Sequence, residues 1–184
     1  MTLDLHKPVF LSLLFLLIFI YYIIFFKKST NKNINNFLFT SSFIFYILCV
    51  IKLTILPMRI TPLEGFNFDL SYCYQIIPLK TISQVIKYNT WKMQLIGNIL
   101  LLLPLPIFIK ILSRKDFTIF KLFSICLLVS ISIEATQFII DLITKFPNKI
   151  ADIDDIILNS IGSLIGVLLA DIYNKKIKCK LNRL

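Results

Sequence analysis

The sequence has no pair of cysteines close enough to form a metal knuckle or a disulfide framework. Cys49, Cys73, Cys126 and Cys179 stand far apart with no CxxC among them. That spacing argues against a structural zinc site and a stapled scaffold. Cys49 and Cys126 fall inside apolar runs, where a thiol behaves as a small hydrophobe. Histidine is nearly absent: His6, ahead of the first apolar run, is the only one and reads as incidental. There is no HExxH, GxSxG or P-loop, so the short motifs of zinc proteases, serine hydrolases and P-loop NTPases are missing. No hydrophilic stretch is long enough for a separate soluble domain, and no internal repeat or low-complexity segment is present.

What the chain has is apolar length. Of 184 residues, 57% are hydrophobic, and the mean hydropathy is +0.82. A soluble chain averages roughly 45–50% apolar residues. The excess comes in long runs, and runs of about 18 or more read as transmembrane helices. Five are expected: Pro8–Phe26, Phe37–Pro57, Trp91–Ile111, Phe117–Leu142 and Ile150–Tyr173. The fold class is therefore an all-α integral membrane protein. The first run is too long for the core of a usual signal peptide and lacks a small-residue cleavage site after it, so it reads as a retained helix. Three regions are expected: 1–36 with the first helix and its connection, a four-helix membrane domain over 37–173, and a basic tail over 174–184.

The 20 Lys and Arg residues outnumber the 10 acids, a net charge of +10. They lie between and after the apolar runs, so loop charge explains them better than nucleic-acid binding. Lys27, Lys28, Lys32, Lys110, Arg114, Lys115, Lys121 and the tail residues Lys175, Lys176, Lys178, Lys180 and Arg183 fall on one side of a five-helix topology. Lys7, Lys52, Arg59, Lys80, Lys87, Lys92, Lys145 and Lys149 fall on the other. The denser set marks the cytoplasm, which puts the amino end outside, the carboxyl end inside and the Met58–Thr90 connection outside. That connection carries Phe66, Phe68, Tyr72, Tyr74 and Tyr88, followed by Trp91. Its aromatics, with Leu79, Ile82 and Ile86 spaced for one helical face, predict a segment lying on the outer leaflet.

Polar residues within the apolar runs need a reason, because a central Asp or Lys costs about 2.5–3.5 kcal/mol on insertion scales. Ser130, Glu134, Gln137 and Asp141 share one helical face. So do Asp152, Asp155, Asn159, Gly162 and Gly166, while Asp154 points elsewhere. At a rise of about 1.5 Å per residue, Asn98, Glu134, Asp155 and Asn159 reach roughly similar depths, with Lys52 near the outer end of its own helix. The expected ligand-binding set is Asn98, Glu134, Gln137, Asp152, Asp155, Asn159, Lys149, Arg59 and Lys52. Glu134, Asp155 and Asp152 are the catalytic candidates if there is turnover. No resident cofactor is expected, although these three acids are hard oxygen ligands able to hold a divalent cation. The competing structural reading makes the polar residues interhelical glue and Gly162/Gly166 a small-xxx-small packing pair.

These residues resemble the VanZ-like family of small bacterial membrane proteins. Asn98 opens a hydrophobic run ending at Pro104 and Pro106, where the family has Pro-x-Gly. Ser130, Glu134 and Gln137 match its second block. Lys149, Asp152, Asp154, Asp155, Asn159 and Gly162 match its third, with Lys149 in place of Arg, keeping charge while losing the bidentate fork. Gln75 through Lys80 is similar to a further segment, and the resemblance spans about Leu53 to Leu169. It implies lowered susceptibility to teicoplanin, a lipid-tailed glycopeptide antibiotic, and residence in a bacterial cell membrane. Partners implied or open are a lipoglycopeptide, a membrane lipid and a lipid-linked cell-wall precursor, with oligomeric state unassigned. An intramembrane enzyme acting on such a lipid, and a small oligomeric transporter or flippase, are the alternatives.

Overall fold

A computed structural model describes residues 2–4, 7–28, 34–61, 65–88, 91–113 and 117–181, without side chains at 7, 26–28, 91–93 and 174–181. His6, Lys32, Arg114, Lys115 and Arg183 lie outside the described residues. The side chains of Lys7, Lys27, Lys28, Trp91, Lys92 and the tail lysines are likewise outside the description.

The described chain is a helical bundle. Helices α1 (Lys7–Lys28) and α2 (Ile34–Thr54) are followed by a short helix α3 (Lys80–Lys87), then α4 (Trp91–Leu102), α5 (Pro104–Ser113), α6 (Ile119–Thr144) and α7 (Ile153–Leu181). Five spans within them are long and apolar enough to cross a membrane: Pro8–Phe25, Ile34–Thr54, Gln94–Ser113, Ile119–Thr144 and Ile153–Tyr173. Helices suit this composition because a bilayer offers the backbone no hydrogen-bond partners.

The third span departs from the sequence expectation of one unbroken helix over Trp91–Ile111. It is two helices, with a bend at Leu103 between α4 and α5. Pro104 has no N–H to continue the ladder, and its ring opposes the preceding turn. A tyrosine from α2 braces the end of α4: Tyr46 Oη donates to the Leu101 carbonyl at 2.8 Å. Leu102, Leu105 and Cys126 form the buried cluster beside it, with Phe43, Tyr46 and Val129 packed around.

Helix α7 packs against α4, α5 and α6, while α1 lies beside α2. The approach of α7 to the bent span depends on two glycines. A Cβ at Gly162 would sit 1.9 Å from the Ile99 carbonyl oxygen, and one at Gly166 would sit 2.1 Å from that of Leu103. No side chain fits at either place, in keeping with the packing role expected of this pair.

The connection after α2 folds back over one end of the bundle. Strand β1 (Thr2–Leu3) pairs antiparallel with β2 (Met58–Arg59). Strand β3 (Tyr74–Gln75) pairs in parallel with β4 (Ala151–Asp152), joining Tyr74 to Ala151 and Gln75 to Asp152. This second pair pins the connection to the start of α7. Within α3 the inward positions are Thr81, Ile82 and Val85, while Leu79 and Ile86 stay exposed. The apolar face read from Leu79, Ile82 and Ile86 is thus split between the bundle and the surroundings.

Candidate functional site

At the end of the bundle carrying the folded-back connection, α2, α4, α6 and α7 enclose a small polar chamber of about 120 Å³. Its walls include Asn98, Glu134, Gln137, Lys149, Asp155 and Asn159, together with Leu53 and Thr54. Six of the nine residues expected to bind a ligand therefore converge from three helices and one loop. Their spacing explains it: the four–three periodicity of α6 turns Ser130, Glu134, Gln137 and Asp141 to one side, where all four are buried.

Side-chain hydrogen bonds fix the walls. Asn98 Nδ2 donates to Asp155 Oδ1, joining α4 to α7. Gln137 Nε2 donates to the Thr54 carbonyl at 2.8 Å, and Lys149 Nζ donates to the Leu53 carbonyl at 3.2 Å. Leu53 and Thr54 end α2, where carbonyls have no partner within the helix, so side chains from α6 and the following loop cap it. Asn159 Nδ2 donates to Ser130 Oγ at 3.2 Å. Glu134 Oε2 accepts the Asp152 backbone N–H at 2.8 Å, tying α6 to the start of α7.

The other acids of the third block have different duties. Asp152 is the amino-terminal cap of α7: Oδ1 accepts the Asp154 N–H at 2.9 Å, as capping carboxylates do. The same carboxylate accepts Gln75 Nε2 at 3.2 Å and Thr81 Oγ1 at 2.5 Å. Asp154 is fully buried, and its two oxygens accept the backbone N–H groups of Leu79 (2.6 Å) and Ile82 (3.1 Å), at the start of α3. Leu79 enters that helix in the left-handed region, at φ 64°. Asp141 Oδ1 similarly accepts the N–H groups of Asn148 (2.8 Å) and Lys149 (3.4 Å) in the turn after α6. Within the connection, Ser71 N–H holds the Asp69 carboxyl below its ordinary range. The Cys73 thiol, sealed under the same loop, is pushed up by burial.

Lys52 and Arg59 do not line the chamber. Lys52 Nζ sits 5.2 Å from the centre of the Phe10 ring and the Arg59 guanidinium 5.2 Å from that of Phe146, in cation–π geometry. Asn148, which the sequence reading missed, holds Arg59 by its backbone: Oδ1 accepts the Arg59 N–H at 2.5 Å and Nδ2 donates to its carbonyl at 3.4 Å. Its place beside Pro147 in a short interhelical connection is a turn signal, but nothing local points to Arg59. Lys110 and Asp171, also missed, pair at 3.2 Å between α5 and α7.

Glu134 belongs to two hollows. Besides the chamber, it lines an open apolar groove of about 370 Å³ on the flank of α6 and α7, with Ile131, Ala135, Phe138, Ile153 and Ile156. Asp152 and Gln75 also border this groove. Through Tyr74 and Gln75 it adjoins a hollow of about 580 Å³ in the folded-back connection, where Phe66, Ser71, Tyr72 and Lys80 add aromatic and polar surface. Tyr74 stands edge-on to Phe138, with ring centres 6.3 Å apart. Chemically, the site offers an apolar slot, an aromatic and polar rim, and a carboxylate between slot and chamber.

The model of the VanZ/LLP1 protein family matches residues 43–174, most of the chain and every residue lining the chamber, the groove and the hollow. No curated protein and no solved structure matches.

Proposed function

The chain belongs to the VanZ/LLP1 family, and from that premise we propose that it lowers susceptibility to teicoplanin-type antibiotics by binding an amphiphile at the Glu134 site. The observation carrying this reading is the position of Glu134 in the wall of both a polar chamber and an apolar groove. The acyl part of the ligand lies in the groove along Ile131, Phe138 and Ile156. Its polar part meets Tyr74, Gln75 and the rim around Lys80. A groove of about 370 Å³ falls within the roughly 300–1,000 Å³ usual for small-molecule sites. The ligand is the drug's lipid tail or a lipid-linked cell-wall precursor.

In this reading the site opens to the outer leaflet of a bacterial cell membrane. The Lys and Arg asymmetry supports that orientation. So do the exposed Ile76, Ile77, Leu79, Ile86 and Tyr88 of the connection, an apolar and aromatic surface suited to an interface. Asn98, Gln137, Asp155, Asn159 and Lys149 shape the chamber behind the carboxylate. Lys52 and Arg59 hold the surrounding helix ends.

Drug susceptibility in a sensitive bacterial host tests the reading. Empty vector, wild type and Glu134→Gln are compared at matched membrane levels, against teicoplanin and against vancomycin, which lacks the lipid tail. The expected result is selective protection from teicoplanin by the wild type, lost in Glu134→Gln. Absence of protection by the wild type, or protection equal in the variant, would refute it.

A further inference from the structure

We infer that the polar chamber binds a small metal cation through oxygen donors alone. Two of its buried side chains point to a missing partner. Gln137 is 6% exposed, and its amide orientation is set by the Nε2 bond to the Thr54 carbonyl. Its Oε1 is left with no hydrogen-bond donor. Asn159 is 1% exposed, and with Nδ2 committed to Ser130, its Oδ1 has no donor either. Buried polar atoms are rarely left so, and here both belong to residues walling the same chamber as the Glu134 and Asp155 carboxylates.

Each donor-bearing side chain named in the wall already makes one bond to another partner. The Asn98 amide donates to Asp155 and the Lys149 ammonium donates to the Leu53 carbonyl. The oxygens in the wall are two carboxylates and two amide carbonyls, ligand types that suit a hard cation. The negative end of the α2 dipole, at Leu53 and Thr54, lies in the same wall. A volume of about 120 Å³ accommodates an ion with a few waters, at about 30 Å³ for each water. Two carboxylates ligating the ion and the Lys149 ammonium at the edge would sum to one negative charge, so charge balance favours a monovalent ion such as sodium. This cation set replaces Asp152, whose carboxylate is occupied by the α7 cap, Gln75 and Thr81, with Gln137 and Asn159.

The test is thermal unfolding of the purified full chain in detergent, without antibiotic. Choline chloride is compared with sodium, potassium, magnesium and calcium chlorides at equal ionic strength. The expected result is a saturable rise in Tm of roughly 5 °C with one of the metal ions, relative to choline. Glu134→Gln and Asp155→Asn abolish the rise. Asp171→Asn, at the Lys110 pair away from the chamber, keeps it. Should the first two variants fail to fold, Asn159→Asp supplies the check: the added charge moves the midpoint of the rise to a lower ion concentration. Equal Tm in choline and in every metal salt would overturn the inference and leave a water-filled chamber. A rise that persists in Glu134→Gln and Asp155→Asn, or an unmoved midpoint in Asn159→Asp, would overturn it by putting the ion elsewhere. The readout involves no drug, so it stands or falls separately from the proposed antibiotic role.

Discussion

Asp154 and Asp155 are neighbours in sequence with opposite situations. Asp154 spends both carboxylate oxygens on the backbone N–H groups of Leu79 and Ile82 and is fully buried by doing so. Asp155, one position along α7, faces a chamber whose amide oxygens lack donors. The same contrast separates Asp152, saturated by its cap and by the connection, from Glu134, whose carboxylate borders two hollows. An acidic motif inside a membrane protein thus need not serve one purpose. Half of this one holds the connection on the bundle, and the other half lines the space beneath it.

The most severe way to break the distinction is to separate the helices that create both halves. Gly162→Leu puts a side chain where the Ile99 carbonyl already stands. It is expected to prevent stable folding, read as loss of monodisperse protein in size-exclusion chromatography. Removing the architectural half alone has the next largest effect. Asp154→Ala deletes two hydrogen bonds to a charged acceptor, each contributing roughly 1.5–3 kcal/mol, and should lower Tm by several degrees. The Cys73 thiol reports where the damage falls. In the wild type its burial and raised pKa suppress the reactive thiolate, so maleimide labelling of Cys73 is expected to be slow near neutral pH. A raised folded-state pKa means that the thiol's contribution to stability is intact below the ordinary thiol range, about 8.5, and is lost as pH rises through the folded value. In Asp154→Ala the loop opens, and labelling at neutral pH is expected to accelerate. Slow labelling with an unchanged Tm would show that the Asp154 bonds do not hold the connection on the bundle. The smallest effect on stability belongs to the chamber: Glu134→Gln, which keeps an acceptor for the Asp152 N–H, should melt near the wild type in choline buffer.

Much of this could be read from the sequence because membrane helices repeat a short-range pattern. The four–three spacing of Ser130, Glu134, Gln137 and Asp141 defines a face, and the buried face is that one. Asn98, Asp155 and Asn159 read at roughly similar depths from their distances to the helix ends, and the chamber brings them together. Other features depend on partners far along the chain. Nothing near Asp154 announces a bond to Leu79, and nothing near Lys149 announces the Leu53 carbonyl. The bend at Leu103 was legible in Pro104 but lost within an otherwise continuous apolar run. Lys52 and Arg59 fall near the right level, yet their long side chains turn to Phe10 and Phe146, a choice of direction that depth along a helix does not specify.

If the Glu134 groove takes the apolar part of an amphiphile, filling the groove blocks binding. Ala135 is small, exposed and part of the groove wall, so Ala135→Trp occupies the slot without intruding on the core. Equilibrium binding of teicoplanin to purified protein in lipid nanodiscs would be measured for wild type and for Ala135→Trp, with the deacylated drug as comparison. The expected result is saturable binding of the acylated drug to the wild type, little binding of the deacylated drug, and a marked loss of affinity in Ala135→Trp. Equal binding of the two drug forms, or affinity untouched by Ala135→Trp, would contradict it.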